Sequence, residues 1–124
     1  MHIIIYGEKK DCDTCISCLS DVPELQYRLV EYTYINDYDE FVLALDRGGF
    51  QPDLVVVASD GAAGMEAVMA SKRSRPDVAV VWMSNDGDFG AQSYRLGCTF
   101  FGVKPITKEL IQNAIQKYNK ERLG

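Results

Sequence analysis

Cys12, Cys15 and Cys18 stand in a C-x2-C-x2-C run, the least ordinary local pattern of the chain. Three thiolates at that spacing match part of a zinc or iron–sulfur motif, since both centres draw ligands from closely spaced cysteines. The surrounding elements argue for a different use. The run falls on a segment that reads as helix, where Cys12 and Cys18 stand about 9 Å apart along the axis at 1.5 Å per residue. Cys98, the other cysteine, precedes the last apolar run and so belongs at the opposite end of the fold. The one histidine, His2, opens the first run and reads as an exposed chain start. Cysteines packed on a helix are therefore expected, with Cys15 or Cys18 facing inward as a small apolar residue. A ligand, metal or thiol sensor, built on Cys12, Cys15 and Cys18 or on a pocket at the carboxyl ends of the strands, is the alternative.

A second set of reactive types follows the apolar runs. Five such runs, at residues 2–6 (β1), 27–34 (β2), 54–58 (β3), 78–83 (β4) and 99–103 (β5), alternate with helix-like segments. The segments lie at about residues 11–19 (α1), 38–47 (α2), 61–72 (α3), 89–96 (α4) and 108–122 (α5). Ile3-Ile4-Ile5, Leu54-Val55-Val56-Val57 and Val78-Ala79-Val80-Val81-Trp82-Met83 are apolar at consecutive positions, as in strands buried on both faces. Trp82 is then core. The second run alternates more and reads as an edge strand, its tyrosines half-buried or forming a surface patch.

Leu110, Ile111, Ala114, Ile115 and Tyr118 make one stripe at helical spacing, with Thr107 placed to cap it. Gly48-Gly49 is expected to end α2, and Pro52 to open β3. Strict βα alternation implies an α/β fold: a doubly wound, five-stranded parallel sheet of order 2-1-3-4-5, in one domain over residues 1–124. A ligand would then lie at the carboxyl ends of strands 1, 3 and 4, where Gly7, Glu8, Ala58, Ser59, Asp60, Ser84 and Asn85 fall.

Composition narrows the function classes. A hydrophobic content of 47% and a charged content of 25% describe a globular chain. The net charge is −5, with no long basic run, which argues against nucleic-acid binding by this domain. The apolar runs are too short to span a membrane, and the first is too short for a signal peptide. A cytoplasmic location with reduced cysteines is expected. Gly7-Glu8-Lys9-Lys10 is not a phosphate-cradling loop, and a single histidine leaves no nucleophile–base pair. The chain is expected not to be an enzyme.

Several segments, in order and at compatible spacing, resemble the receiver domain of response regulators. Pro52-Asp53-Leu54-Val55-Val56-Val57 is similar to the family's third strand, and Val80-Val81-Trp82-Met83-Ser84-Asn85 to its fourth. Residues 88–97 and Phe101-Gly102-Val103-Lys104-Pro105-Ile106 resemble its C-terminal part, nearest to receivers joined to LytTR DNA-binding domains. The resemblance covers residues 1 to about 118 and implies a CheY-like, flavodoxin-like fold in two-component signalling.

It also implies a chemistry. Two acids after β1 and an acceptor aspartate ending β3 hold magnesium, which offsets charge on an incoming phosphoryl group. A lysine after β5 and a hydroxyl after β4 contact the phosphoryl oxygens, and an aromatic residue on β5 turns inward. Lys104, Ser84 and Phe101 match the lysine, hydroxyl and aromatic, and Glu8 matches the second acid. Gly7 replaces the first acid, and Ala58 replaces the acceptor. The loop after Ala58 is about two residues shorter than the family's and lacks its Met-Pro pair.

Magnesium binding is accordingly expected to be weak or absent. Asp60 is expected to cap α3, a displaced acceptor being the alternative. Lys104 is expected to pair with Glu8 or Asp60. The resemblance implies a degenerate receiver that takes no phosphate at position 58. It would act by binding a protein partner or by dimerising through the α4–β5–α5 face, residues 89–96, 99–103 and 108–118.

Overall fold

The computed structural model describes residues 1–47 and 51–123. The strands are β1 (His2–Gly7), β2 (Glu31–Ile35), β3 (Leu54–Ala58), β4 (Ala79–Ser84) and β5 (Phe100–Val103). The helices are α1 (Lys9–Ser20), α2 (Tyr38–Arg47), α3 (Gly61–Ser74), α4 (Gly90–Arg95) and α5 (Lys108–Leu123). All strand pairs are parallel, in the order β2-β1-β3-β4-β5. This is the predicted architecture.

Consecutive apolar residues serve alternate faces of the sheet. Ile3, Ile5, Leu54, Val56, Val81 and Met83 meet α1 and α5, through Cys12, Cys15, Leu19, Ile111, Ala114 and Ile115. Ile4, Val55, Val57, Val80 and Trp82 meet α2 and α3 on the other face, through Phe41, Leu45, Ala67 and Val68. Every strand residue of β3 is buried, so the centre of the sheet is a rigid platform for whatever its carboxyl edge carries.

Several expectations change. The second strand begins at Glu31, not Tyr27. Pro23 starts a single helical turn, Pro23–Gln26, whose Leu25 is buried, and Tyr27 is left exposed. Proline favours the first helical position because its fixed φ suits the helix and its missing N–H is not needed there. Before α4, Gly87–Phe89 forms a 3₁₀ turn, capped where Asp86 Oδ1 accepts the Asp88 amide at 2.9 Å.

His2 is mostly covered rather than exposed, its side chain only 13% accessible. Its ring nitrogen lies 2.7 Å from Thr33 Oγ1. The Thr107 cap is present, its Oγ1 accepting the Leu110 amide at 3.1 Å. The proposed helix end at Gly48-Gly49 lies outside the described residues.

Candidate functional site

Parallel strands bring their carboxyl ends to one edge, and at that edge Gly7 and Ala58 are paired in register. The two strands approach closely there. A Cβ built on Gly7 would stand 2.6 Å from the Ala58 carbonyl oxygen and 3.2 Å from the Ala58 methyl. Glycine is needed at position 7 for space, and an acid there would overlap its neighbour. Ala58 itself is buried and offers a methyl group. Glu8 stands exposed at the start of α1, away from the lysine it was expected to meet.

The carboxylate that replaces Glu8 is Asp11. It lies in the first turn of α1, and side chains on a helix lean toward its N-terminus, here back over the strand ends. Lys104 Nζ donates to Asp11 Oδ2 at 2.7 Å and to the Ala58 carbonyl at 3.3 Å, and it pairs with Asp60 Oδ1 at 3.0 Å. An ammonium group has three donors, and three oxygens receive them. The lysine side chain is 14% exposed, Asp11 26% and Asp60 42%. Burial opposes the charged lysine, but the bonds and charges of Asp11 and Asp60 outweigh it and raise its pKa.

Asp60 occupies the N-cap position of α3 in backbone conformation, but its side chain makes no capping bond. Its Oδ1 instead accepts the Asn85 amide at 2.8 Å, across to the loop after β4. The predicted cap is thus a tie between two loops. Ser84, fully buried, makes a second tie, its Oγ accepting the amides of Gly61 and Asp86, each at 3.2 Å. The Lys104 amide donates to the Ser84 carbonyl at 2.9 Å.

Beneath this polar layer, Trp82 Nε1 donates to the Ser59 carbonyl at 2.9 Å. The Trp82 ring meets Phe89 edge-on at 5.6 Å and Phe101 at 5.3 Å. Phe101 is half-buried against that ring.

The cysteine triad lies elsewhere. Cys12, Cys15 and Cys18 are all buried in the core between α1 and the sheet. Burial pushes the thiols of Cys12 and Cys15 up to about 12, so they are held as thiols at neutral pH. Among the described residues, no group of three histidine, cysteine or acidic side chains is arranged to hold a metal ion.

The architecture and edge chemistry now bear comparison with known structures. A CheY-like response regulator receiver domain protein of Methanospirillum hungatei JF-1 aligns with a TM-score of 0.72 and 17% identity, over 99% of this chain and 98% of that one. The chain has the receiver fold. A protein named for CpaE2-type pilus assembly in Sinorhizobium meliloti 1021 aligns with a TM-score of 0.75 and 17% identity, over 95% of this chain and 99% of that one. The chemotaxis protein CheY4 of Vibrio cholerae aligns at 0.72 and 14%, over 94% and 97% of the two chains. No protein-family model and no curated protein matches the sequence.

Receivers imply magnesium at this edge, and these residues do not fit that ion. Position 7 has no side chain, position 58 has no carboxylate, and Glu8 is exposed. Asp11 and Asp60 already hold an ammonium group. A hard divalent cation would have to displace Lys104 from both carboxylates.

Proposed function

We propose that this chain is a degenerate receiver that signals by protein contact, without phosphorylation at position 58. The observation that carries the reading is the state of the pocket. Ala58 offers a methyl where an acceptor would need an oxygen, and Lys104 is satisfied internally by Asp11, Asp60 and the Ala58 carbonyl. A lysine so held has no donor left for an incoming phosphoryl group unless an ion pair breaks.

The contact surface in this reading is the α4–β5–α5 face, used for a protein partner or a second copy of the chain. Two apolar side chains on its elements support it: Tyr94 is 86% exposed and Val103 48%. Such residues favour contact cores when they cluster. The net charge of −5 over the whole chain argues against binding nucleic acid by electrostatics alone. Among the described residues no helix is long and apolar enough to cross a membrane. The reading places the chain in the cytoplasm, as a binding module and not an enzyme. The cysteine sensor gains no support, since buried thiols with raised pKa are poor ligands and poor nucleophiles.

The test is incubation with magnesium and acetyl phosphate, read by intact mass beside a receiver that is known to be phosphorylated. The expected result is an unmodified chain under conditions that fully modify the control. A stoichiometric phosphoryl adduct, mapped to Asp60 or Asp11, would overturn the reading.

A further inference from the structure

At the strand edge the Asp60 side chain reaches both the residue that follows β5 and the loop after β4. Its Oδ1 receives the Asn85 amide at 2.8 Å and lies 3.0 Å from Lys104 Nζ. We propose that Asp60 is a positioning residue: its fixed negative charge holds the β4–α4 loop against the end of β5, and so sets the conformation of the α4–β5–α5 face. The inference rests on the reading above and deepens it, since it names what fixes the face when no phosphoryl group is added.

The connection is physical at each step. Asn85 is followed by Asp86, whose amide donates to Ser84 Oγ and whose carboxylate caps the turn at Gly87–Phe89. Phe89 lies edge-on to Trp82, and Trp82 lies edge-on to Phe101 of β5. α4 begins at Gly90, where a Cβ would meet the Phe101 ring at ordinary contact distance, 3.7 Å. Tyr94 is on the outer side of that short helix. Lys104, the other partner of Asp60, directly follows β5 and donates its amide to Ser84. Loop, short helix and edge strand thus share one anchor.

A carboxylate suits this task. A backbone amide bonded to a charged acceptor is held about twice as strongly as one bonded to a neutral acceptor. Lys104 is kept from swinging away by Asp11 on the other side. Coupling between two sites is reciprocal, so whatever binds the face must also act on the Asp60–Asn85 bond.

The experiment compares Asp60→Asn, Asp60→Ala and Asp60→Glu with the wild-type chain by amide NMR and hydrogen exchange. Asp60 is partly exposed, so all three variants should fold, and dispersed spectra check this. Asp60→Ala should speed exchange of the Asn85 amide by about tenfold or more, the loss of one charge-assisted bond. Shifts should extend to Phe89, Tyr94 and Phe101.

Asp60→Asn should move the same amides part of the way along the same line, as expected for two states in fast exchange. Asp60→Glu should restore part of the wild-type position. Shifts confined to residues 59–61 and 84–86, or scattered without a common line, would overturn the proposal. That failure is distinct from failure of the functional reading, which falls only if acetyl phosphate modifies the chain.

Discussion

At the ends of β1 and β3, Gly7 and Ala58 face each other with no side chain larger than a methyl, and the backbones have closed in. At the ends of β4 and β5, Ser84, Asn85 and Lys104 keep a full polar layer, tied to Asp60 and Asp11. In the proposed reading, the two halves of one pocket are unsuited to phosphoryl chemistry for different reasons. One half is sterically closed, so a single carboxylate cannot be put back at position 7. The other is chemically complete but occupied by its own ion pairs, so its polar groups serve structure. A pocket that had merely decayed would carry unsatisfied buried groups at this edge, and its principal polar atoms are instead paired.

The comparison is broken most directly at its closed half. Gly7→Asp forces a Cβ to 2.6 Å from the Ala58 carbonyl, and should cost about 3 kcal/mol in urea unfolding, the upper range for overpacking. A loss well under 1 kcal/mol, on the order of a surface change, would mean that the β1–β3 edge is open after all.

On the polar half, Lys104→Met leaves Asp11 and Asp60 without their shared cation. The expected loss is about 1–2 kcal/mol, less than for a deeply buried pair because both carboxylates are partly exposed. Ser84→Ala removes one acceptor from two amides and should cost about 1 kcal/mol by the same measurement. Equal, near-zero losses for both would show that the polar layer is decoration.

The smallest effect, absent at neutral pH, sharpens the contrast between the ion pair and the cysteine helix. The folded pKa of Lys104 is raised above 10.5. Its contribution to stability is full below that value and is lost as pH rises through the folded value. Cys12 and Cys15 titrate at about 12 in the fold against 9.0 ordinarily, so the unfolded chain ionises first and stability falls from pH 9 toward 12. Lys104→Met should make the alkaline fall shallower above about pH 10.5 and leave the earlier part, which begins at pH 9, unchanged. Loss of the earlier part as well would mean the two regions are coupled.

The sheet was legible because uninterrupted apolar runs admit few arrangements once βα alternation is recognised. The start of β2 was not, because half-buried tyrosines lack a clean period and Pro23 nucleates a turn that no alternation reveals. Gly7, Ala58 and Ser84 could be placed at the edge from strand ends alone, and Lys104 through the resemblance to receivers. Asp11 was missed because α1 was read as starting there. With the start at Lys9, the same residue falls in the first turn and reaches back to the strands. The role of Asp60 was misassigned for a related reason. Its local sequence favours a cap, but its partner Asn85 lies 25 residues away, and only the folded sheet brings the two together.

The most direct test of the whole account is an amide NMR titration of the wild-type chain with magnesium and beryllofluoride, which mimics an aspartyl phosphate. The account predicts no saturable shifts at Asp11, Asp60, Ser84 or Lys104, since the acceptor carboxylate is missing and the ammonium is already held. Saturable shifts centred on those residues would contradict it, and would mean that the pocket still reads a phosphoryl group through Asp60.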